Sequence, residues 1–418
     1  MHPILKKIIT SNYFFVATIT LFIIALGLTA VARGGRDLKV GLFGVEQVIH
    51  KKSPYDNPLD HNRVIFRYAP AFTLLQYPYL LKSKMTAPFE FSGITTSIIA
   101  WYLTVILSLF VSGWLLTKIM PAVSPKTSFM NLKISFLLCL PAIGYELSNG
   151  QNKLFSLCLM FIAIYLFEKK RFFFSSIFFN LAITVYIPLV FFAIYFILKS
   201  KGRYIFSLIN GCLLIFIILP SLIFGFEFNL YLLKDWFIRC LKPFFFADTY
   251  ATYIDLRTSS HSLPSAIGRM FVSGFTGAFN YRISPILIHI LIMTITAIIL
   301  LVSCLVAWIN SKENCRGLLY AIFLILALIL PAYCIYYTWA WLFVAYFAVF
   351  SYLDSRETFE KAEKILAFFT GLLVIASWLF SLPPFNHLSF LFWATFLFWL
   401  NLVLVIFNNN RVSLRITR

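Results

Sequence analysis

The chain has 418 residues, of which 61% are hydrophobic, 19% aromatic and only 12% charged, with a mean hydropathy of +0.86. Soluble domains are typically about half apolar and about one quarter charged, so an ordinary soluble globule is excluded. The 35 basic and 16 acidic residues give a net charge of +19, but the basic residues cluster between apolar runs, which marks membrane topology and excludes a nucleic-acid-binding stripe.

The apolar runs are of the length, about 17–25 residues, that spans a hydrocarbon core as helix. The first, 12–32, lacks a small-residue cleavage site and precedes many similar runs, so it reads as a retained helix and not a signal peptide. Further helices are expected at 92–117, 130–147, 153–168, 172–185, 186–199 and 203–225. The remaining five are expected at 284–308, 317–335, 337–353, 362–381 and 388–407. The fold class is therefore an all-α polytopic membrane protein of about twelve transmembrane helices. With no fixed-period repeat and no low-complexity linker, 1–418 reads as one domain.

Short basic clusters set the orientation. Lys6 and Lys7, Lys118 to Lys133, Lys169 to Arg171, Lys199 to Arg203, Lys312 and Arg316, Arg356 to Lys364 and the tail arginines fall on one side. That places both termini in the cytoplasm and two long segments, 33–91 and 226–283, on the outer face. Each is expected to carry interfacial helix: 69–82 in the first, and in the second the stretch with Trp236, Phe244 to Phe246 and Tyr250.

One stretch forces a break. The clusters at 168–171 and 199–203 share a side, so 172–199 must enter and return. Two full spans need roughly 40 residues, so two short helices are expected to meet at Val185–Pro188, where proline cannot continue a regular helix. Broken helices at membrane depth are tolerated where they line a cavity. The alternative is a single long tilted helix. The seven cysteines form no close-spaced pair and read as small core or lipid-facing residues.

Acidic residues are few, and most lie on the outer side. Asp37 follows Gly34 and Gly35 just beyond the first helix. It is either paired with Arg33, Arg36 or Lys39, or a general base that takes the proton of an attacking hydroxyl. Arg67 and Tyr68, preceded by Tyr55 and Asp56, read as a phosphate clamp with stacking aromatics or as interfacial anchors. The polar turn Asn149-Gly150-Gln151-Asn152 suits sugar hydroxyls or any tight turn. His261, ahead of Arg269, is a proton-transfer group, a phosphate ligand or a solvated loop histidine. No nucleotide-binding or HExxH-type motif occurs, so an activated substrate would come from the membrane or the far side.

In order along the chain stand Gly35-Arg36-Asp37-Leu38-Lys39-Val40, Ser53-Pro54-Tyr55, Phe66-Arg67-Tyr68-Ala69-Pro70, Gly150-Gln151, Tyr186-Ile187-Pro188, Ser260-His261-Ser262-Leu263 and Leu330-Pro331 with Trp339. This series resembles glycosyltransferase family 87 over roughly residues 30–345, leaving 346–418 as C-terminal helices and a basic tail. The resemblance implies a GT-C fold in a bacterial plasma membrane and transfer of one sugar, mannose first, from a polyprenyl-phosphate donor. The acceptor would be a lipid or glycan hydroxyl on the extracytoplasmic face. It implies Asp37 as base with His261 beside it, Arg36, Arg67, Tyr68 and Arg269 on the donor, and Tyr55, Asp56, Asn149, Gln151 and Trp339 on the acceptor or sugar. No cofactor is implied, and a divalent metal is left open. Val185 stands where the family often has Lys, so a phosphate contact is lost or comes from Arg67 or Arg269. A transporter or flippase of lipid-linked sugars and an oligosaccharide ligase are the competing readings.

Overall fold

The computed structural model describes residues 12–32, 35–55, 66–85, 90–120, 124–242, 260–271, 284–310, 313–331, 334–356, 361–379, 382 and 389–416, with the backbone alone at 12–18, 36, 81–85, 90–95, 285 and 411–416. The helices in order are α1 (Asn12–Ala32), α2 (Arg36–Ile49), α3 (Phe72–Met85), α4 (Glu90–Ile119), α5 (Pro125–Leu138), α6 (Leu140–Asn149) and α7 (Lys153–Glu168). Then come α8 (Phe172–Val185), α9 (Phe191–Lys199), α10 (Tyr204–Cys212), α11 (Leu219–Phe224), α12 (Phe226–Trp236) and α13 (Leu263–Phe271). The chain closes with α14 (Pro285–Ile309), α15 (Arg316–Ile329), α16 (Leu342–Asp354), α17 (Lys361–Leu379) and α18 (Phe390–Ile416). Among the described residues no strand forms; a lone antiparallel bridge joins Ser260 to Ile335.

Among the described residues five helices are long and apolar enough to cross a membrane, or up to seven spans if each bent pair counts as one, so the protein is a polytopic all-α membrane protein. α15 and α16 form the centre: every residue from Leu318 to Ile329 and from Leu342 to Val349 is buried. α14 is apolar all round, and its outward Leu287, Ile290, Leu301 and Trp308 are exposed in the isolated chain. Such a surface is at home only in lipid.

Four expected boundaries change. The helix drawn at 130–147 is two, α5 and α6, bent by 63°. Pro141 in the first turn of α6 has no N–H to carry the earlier ladder through. The helix drawn at 317–335 ends at Ile329, before Pro331, and a 3-10 turn at Tyr336–Trp341 precedes α16. The helix drawn at 203–225 is interrupted by a π stretch, Leu213–Ile218, between α10 and α11. The first outer segment holds α2, which was not anticipated, while the expected interfacial helix at 69–82 becomes α3. In the second segment Trp236 is buried against the protein; Phe244 to Phe246 and Tyr250 lie outside the described residues.

The break between α8 and α9 is where the sequence puts it. α8 ends at Val185, Tyr186 is extended (φ −144°, ψ 95°), and a 3-10 turn, Ile187–Val190, leads into α9. The two ends of the stretch come back together: Phe172 and Tyr204 rings are 6.0 Å apart, and Lys199 is electrostatically coupled to both Glu168 and Arg316. The clusters at 168–171 and 199–203 thus share one end of the bundle. α7 and α8 run antiparallel between that end and the break, tied by Ser156 Oγ to Ala182 O at 2.9 Å and Ser175 Oγ to Ala163 O at 2.7 Å.

Candidate active site

Two glycines bring the first two motifs into contact. Gly35 caps α2 in the left-handed region (φ +53°) and Gly150 ends α6 the same way (φ +77°). A Cβ on Gly150 would lie 3.3 Å from the Gly35 backbone, so the two turns meet with no room for a side chain. Asp37 therefore sits in the first turn of α2, half-buried, against the start of α7. A carboxylate there is favoured by the positive end of its own helix.

Lys153, the first residue of α7, occupies the centre. Its Nζ lies 4.3 Å from the centre of the Tyr186 ring and 5.6 Å from that of Tyr68, and it is coupled electrostatically to Glu146 and Asp37. Its carbonyl accepts the Trp341 indole N–H at 3.1 Å. Behind it Glu146 is fully buried; Oε1 accepts the Leu154 N–H at 2.5 Å, and Oε2 has no hydrogen-bond partner. Asn152 Oδ1 accepts from Trp101 Nε1 at 2.8 Å and Gln76 Nε2 at 3.3 Å. Gln151 is buried, whereas Asn149 is half-buried, its amide donating to Tyr145 O at 2.7 Å.

The Arg67–Tyr68 motif packs on the helix break. Ala69 N donates to Thr184 O at 3.3 Å, and Tyr68 stacks on Phe72 at 4.1 Å while remaining half-buried. Tyr55 donates its hydroxyl to Tyr68 O at 2.8 Å, so it supports Tyr68 from behind. Arg67 O accepts from Trp236 Nε1 at 3.3 Å, and the Arg67 charge is felt at Cys240. Asp56 lies outside the described residues.

The second outer segment delivers its motif through the bridge. His261 N donates to Cys334 O at 2.9 Å, and Cys334 N donates to Ser260 Oγ at 3.1 Å. Arg269 is buried, and its guanidinium donates to Ser260 O at 2.7 Å and to Ser389 Oγ at 3.0 Å, clasping the loop to the start of α18. His261 is fully buried, which removes the solvated-loop alternative. Burial, and then the Arg269 charge, push its pKa down to about 3, so the ring is a neutral imidazole. It meets Trp339 edge-on at 6.5 Å; Trp339 is itself buried, and its indole Nε1 has no hydrogen-bond partner.

Tyr186 joins the halves. Its hydroxyl donates to Ala327 O at 3.0 Å and lies 4.0 Å from Cys334 Sγ, and its ring meets Trp341 at 5.0 Å. Asp37, Tyr68, Gln151 and the His261 loop thus surround the Lys153–Tyr186 pair, with Tyr55 and Arg269 supporting them. Lys153 and Glu146 were not singled out beforehand as site residues. Lys153 read as an ordinary helix start, since its ring partners come from distant parts of the chain. The cation over Tyr186 is this lysine, from α7, where Val185 is apolar and buried.

A family model for glycosyltransferase family 87 matches residues 66–331, more than half of the chain. The protein belongs to glycosyltransferase family 87 and is a membrane glycosyltransferase. The matched stretch takes in the Tyr68, Gln151, Tyr186 and His261 motifs, while Asp37 precedes it. No curated protein matches the chain.

Proposed function

We propose that the protein transfers one sugar, mannose first among candidates, from a polyprenyl-phosphate donor to a lipid or glycan hydroxyl at the extracytoplasmic face of a bacterial plasma membrane. Asp37 is the general base: it takes the acceptor proton as the acceptor oxygen bonds to the anomeric carbon and the phosphate leaves with the bonding electrons. The observation that carries this reading is the seating of a half-buried carboxylate at the α2 N-terminus beside the aromatic-flanked break of α8. Tyr68 and Trp339 offer ring faces or edges to a sugar, and Gln151 offers its amide. A neutral His261 acts as a hydrogen-bonding wall rather than as a charged acid. Arg67 and Arg36 are retained as donor contacts, Asn149 as an acceptor contact at the rim. Arg269 acts indirectly, by holding the Ser260–Cys334 bridge. No cofactor enters this mechanism.

The same reading keeps about twelve crossings, with the basic end of the bundle and both termini in the cytoplasm. Purified protein in proteoliposomes, supplied with radiolabelled polyprenyl-phosphate sugar and extracted lipids, tests it. Covalent transfer to the lipid fraction is expected. Movement of the donor between leaflets without transfer would overturn it in favour of a flippase, and transfer of only a preassembled oligosaccharide in favour of a ligase.

A further inference from the structure

We infer that Lys153 is the anion seat of this site: its ammonium receives the lipid-linked phosphate of the departing donor, with the Tyr68 and Tyr186 rings fixing where that ammonium stands. The inference rests on the transfer reaction proposed above and adds a residue to it.

The geometry makes the case. An ammonium held 4.3 Å and 5.6 Å from two ring centres is oriented without having its three donors consumed, because ring faces attract the charge but leave N–H bonds for another acceptor. Its backbone is pinned by Trp341, so the stem starts from a fixed point. The carboxyl nearest in sequence, Glu146, has turned one oxygen to the Leu154 N–H at the helix start and leaves the other without a hydrogen bond, wholly buried. Arg269 already donates to a carbonyl and a hydroxyl inside the protein. Lys153 is thus a cation placed by rings, beside the proposed base, at the point where the α8 helix gives way.

The chemistry balances without a further reactant. The bond between the anomeric carbon and the phosphate oxygen breaks, its electron pair staying on the phosphate. The acceptor oxygen forms the new bond and its proton passes to Asp37. Lys153 begins and ends as an ammonium and transfers no proton; it offsets the charge that builds on the leaving oxygen in a site shielded from water. Glu146 is a positioning residue: by accepting the Leu154 N–H it fixes the start of the helix that carries Lys153.

Lys153→Met, Lys153→Arg, Glu146→Gln and Asp37→Asn are compared with wild type in proteoliposomes, each first checked for a monodisperse elution profile and an unchanged melting midpoint. Donor KM, kcat and inhibition by polyprenyl monophosphate and by inorganic phosphate are measured. Lys153→Met should lose on the order of 10²-fold in kcat/KM, and inhibition by polyprenyl monophosphate should weaken at least tenfold. Lys153→Arg should recover part of both, and Glu146→Gln should raise donor KM more than it lowers kcat. Asp37→Asn should lose turnover while still binding polyprenyl monophosphate. Wild-type donor KM and wild-type inhibition in a folded Lys153→Met protein would overturn the inference, as would inhibition by inorganic phosphate alone. That result beside an inactive Asp37→Asn would leave the transfer reading standing; an active Asp37→Asn would instead remove the base assignment.

Discussion

α7 carries a charged cluster at each end, and the two are built on opposite principles. At its last residue, Glu168 accepts from Arg316 Nη1 at 2.8 Å and from the Tyr320 hydroxyl at 2.5 Å, Arg316 also bonds Glu313, and Lys199 donates to Asn310 O at 2.8 Å. Both oxygens of that carboxylate are used. At its first residue, Lys153 stands against ring faces, and the neighbouring Glu146 keeps one oxygen without a bond. A carboxylate with both oxygens matched holds helices together, whereas one with an unmatched oxygen keeps hydrogen-bonding capacity in reserve. The basic end is a fastening, and on the reading proposed above the other end is a receptacle, with one helix setting their separation.

The sharpest way to break this contrast is Asp37→Asn. A positioned base contributes roughly 10²–10⁴-fold, so turnover in proteoliposomes should fall by that range while the melting midpoint stays within a degree or two of wild type. Arg316→Met should do the reverse. It strips the fastening and leaves the Glu168 carboxylate, only partly exposed, with one partner fewer, at a cost of about 1–3 kcal/mol. A midpoint several degrees lower, with transfer per folded molecule retained, is the expected outcome of a thermal-shift and activity comparison.

Gly150→Ala tests the contact that brings the two ends of α2 and α6 together. A left-handed backbone costs an L-residue roughly 1–2 kcal/mol, and the new methyl would press on the Gly35 backbone. Both stability and kcat should drop, since the same contact seats Asp37. The smallest effect concerns acid stability. His261 has its pKa lowered in the fold, to about 3 against the ordinary value near 6.5. The unfolded chain therefore takes up a proton first, and the contribution of this histidine is intact above about pH 6.5 and declines as pH falls from there towards 3. His261→Gln should flatten that acid limb in melting experiments and leave the neutral-pH midpoint close to wild type.

What the sequence disclosed follows from which forces are local. The break at Tyr186 was legible because Pro188 and a simple length argument both act within one segment, and α7 and α8 begin and end where expected. Pro141 is an equal signal, masked by the apolar residues on either side of it; it marks the bend between α5 and α6. α2 was hidden by its mixed charge, which resembles a polar loop until its apolar face finds α3. Among site residues, Asp37 and His261 stood out as scarce polar groups in an apolar chain. Lys153 did not, because a lysine opening a helix is commonplace and its meaning comes from Tyr68 and Tyr186. Trp236, an interfacial-anchor candidate by sequence, buries its ring and donates to the Arg67 carbonyl, a contact that no local pattern announces.

The lengths of α7 and α8 bear on which sugar carriers can reach the site. With 16 and 14 residues they rise ~24 Å and ~21 Å from the basic end, against a hydrocarbon layer ~30 Å thick. Were these helices upright with the basic end at one hydrocarbon boundary, Lys153 would stand ~6 Å short of the opposite boundary. On that placement a carrier with a long, bendable tail would bring its phosphate to Lys153 more readily than one held at headgroup level. Selection among donors would then operate through the mechanics of the lipid tail before any hydroxyl of the sugar is read.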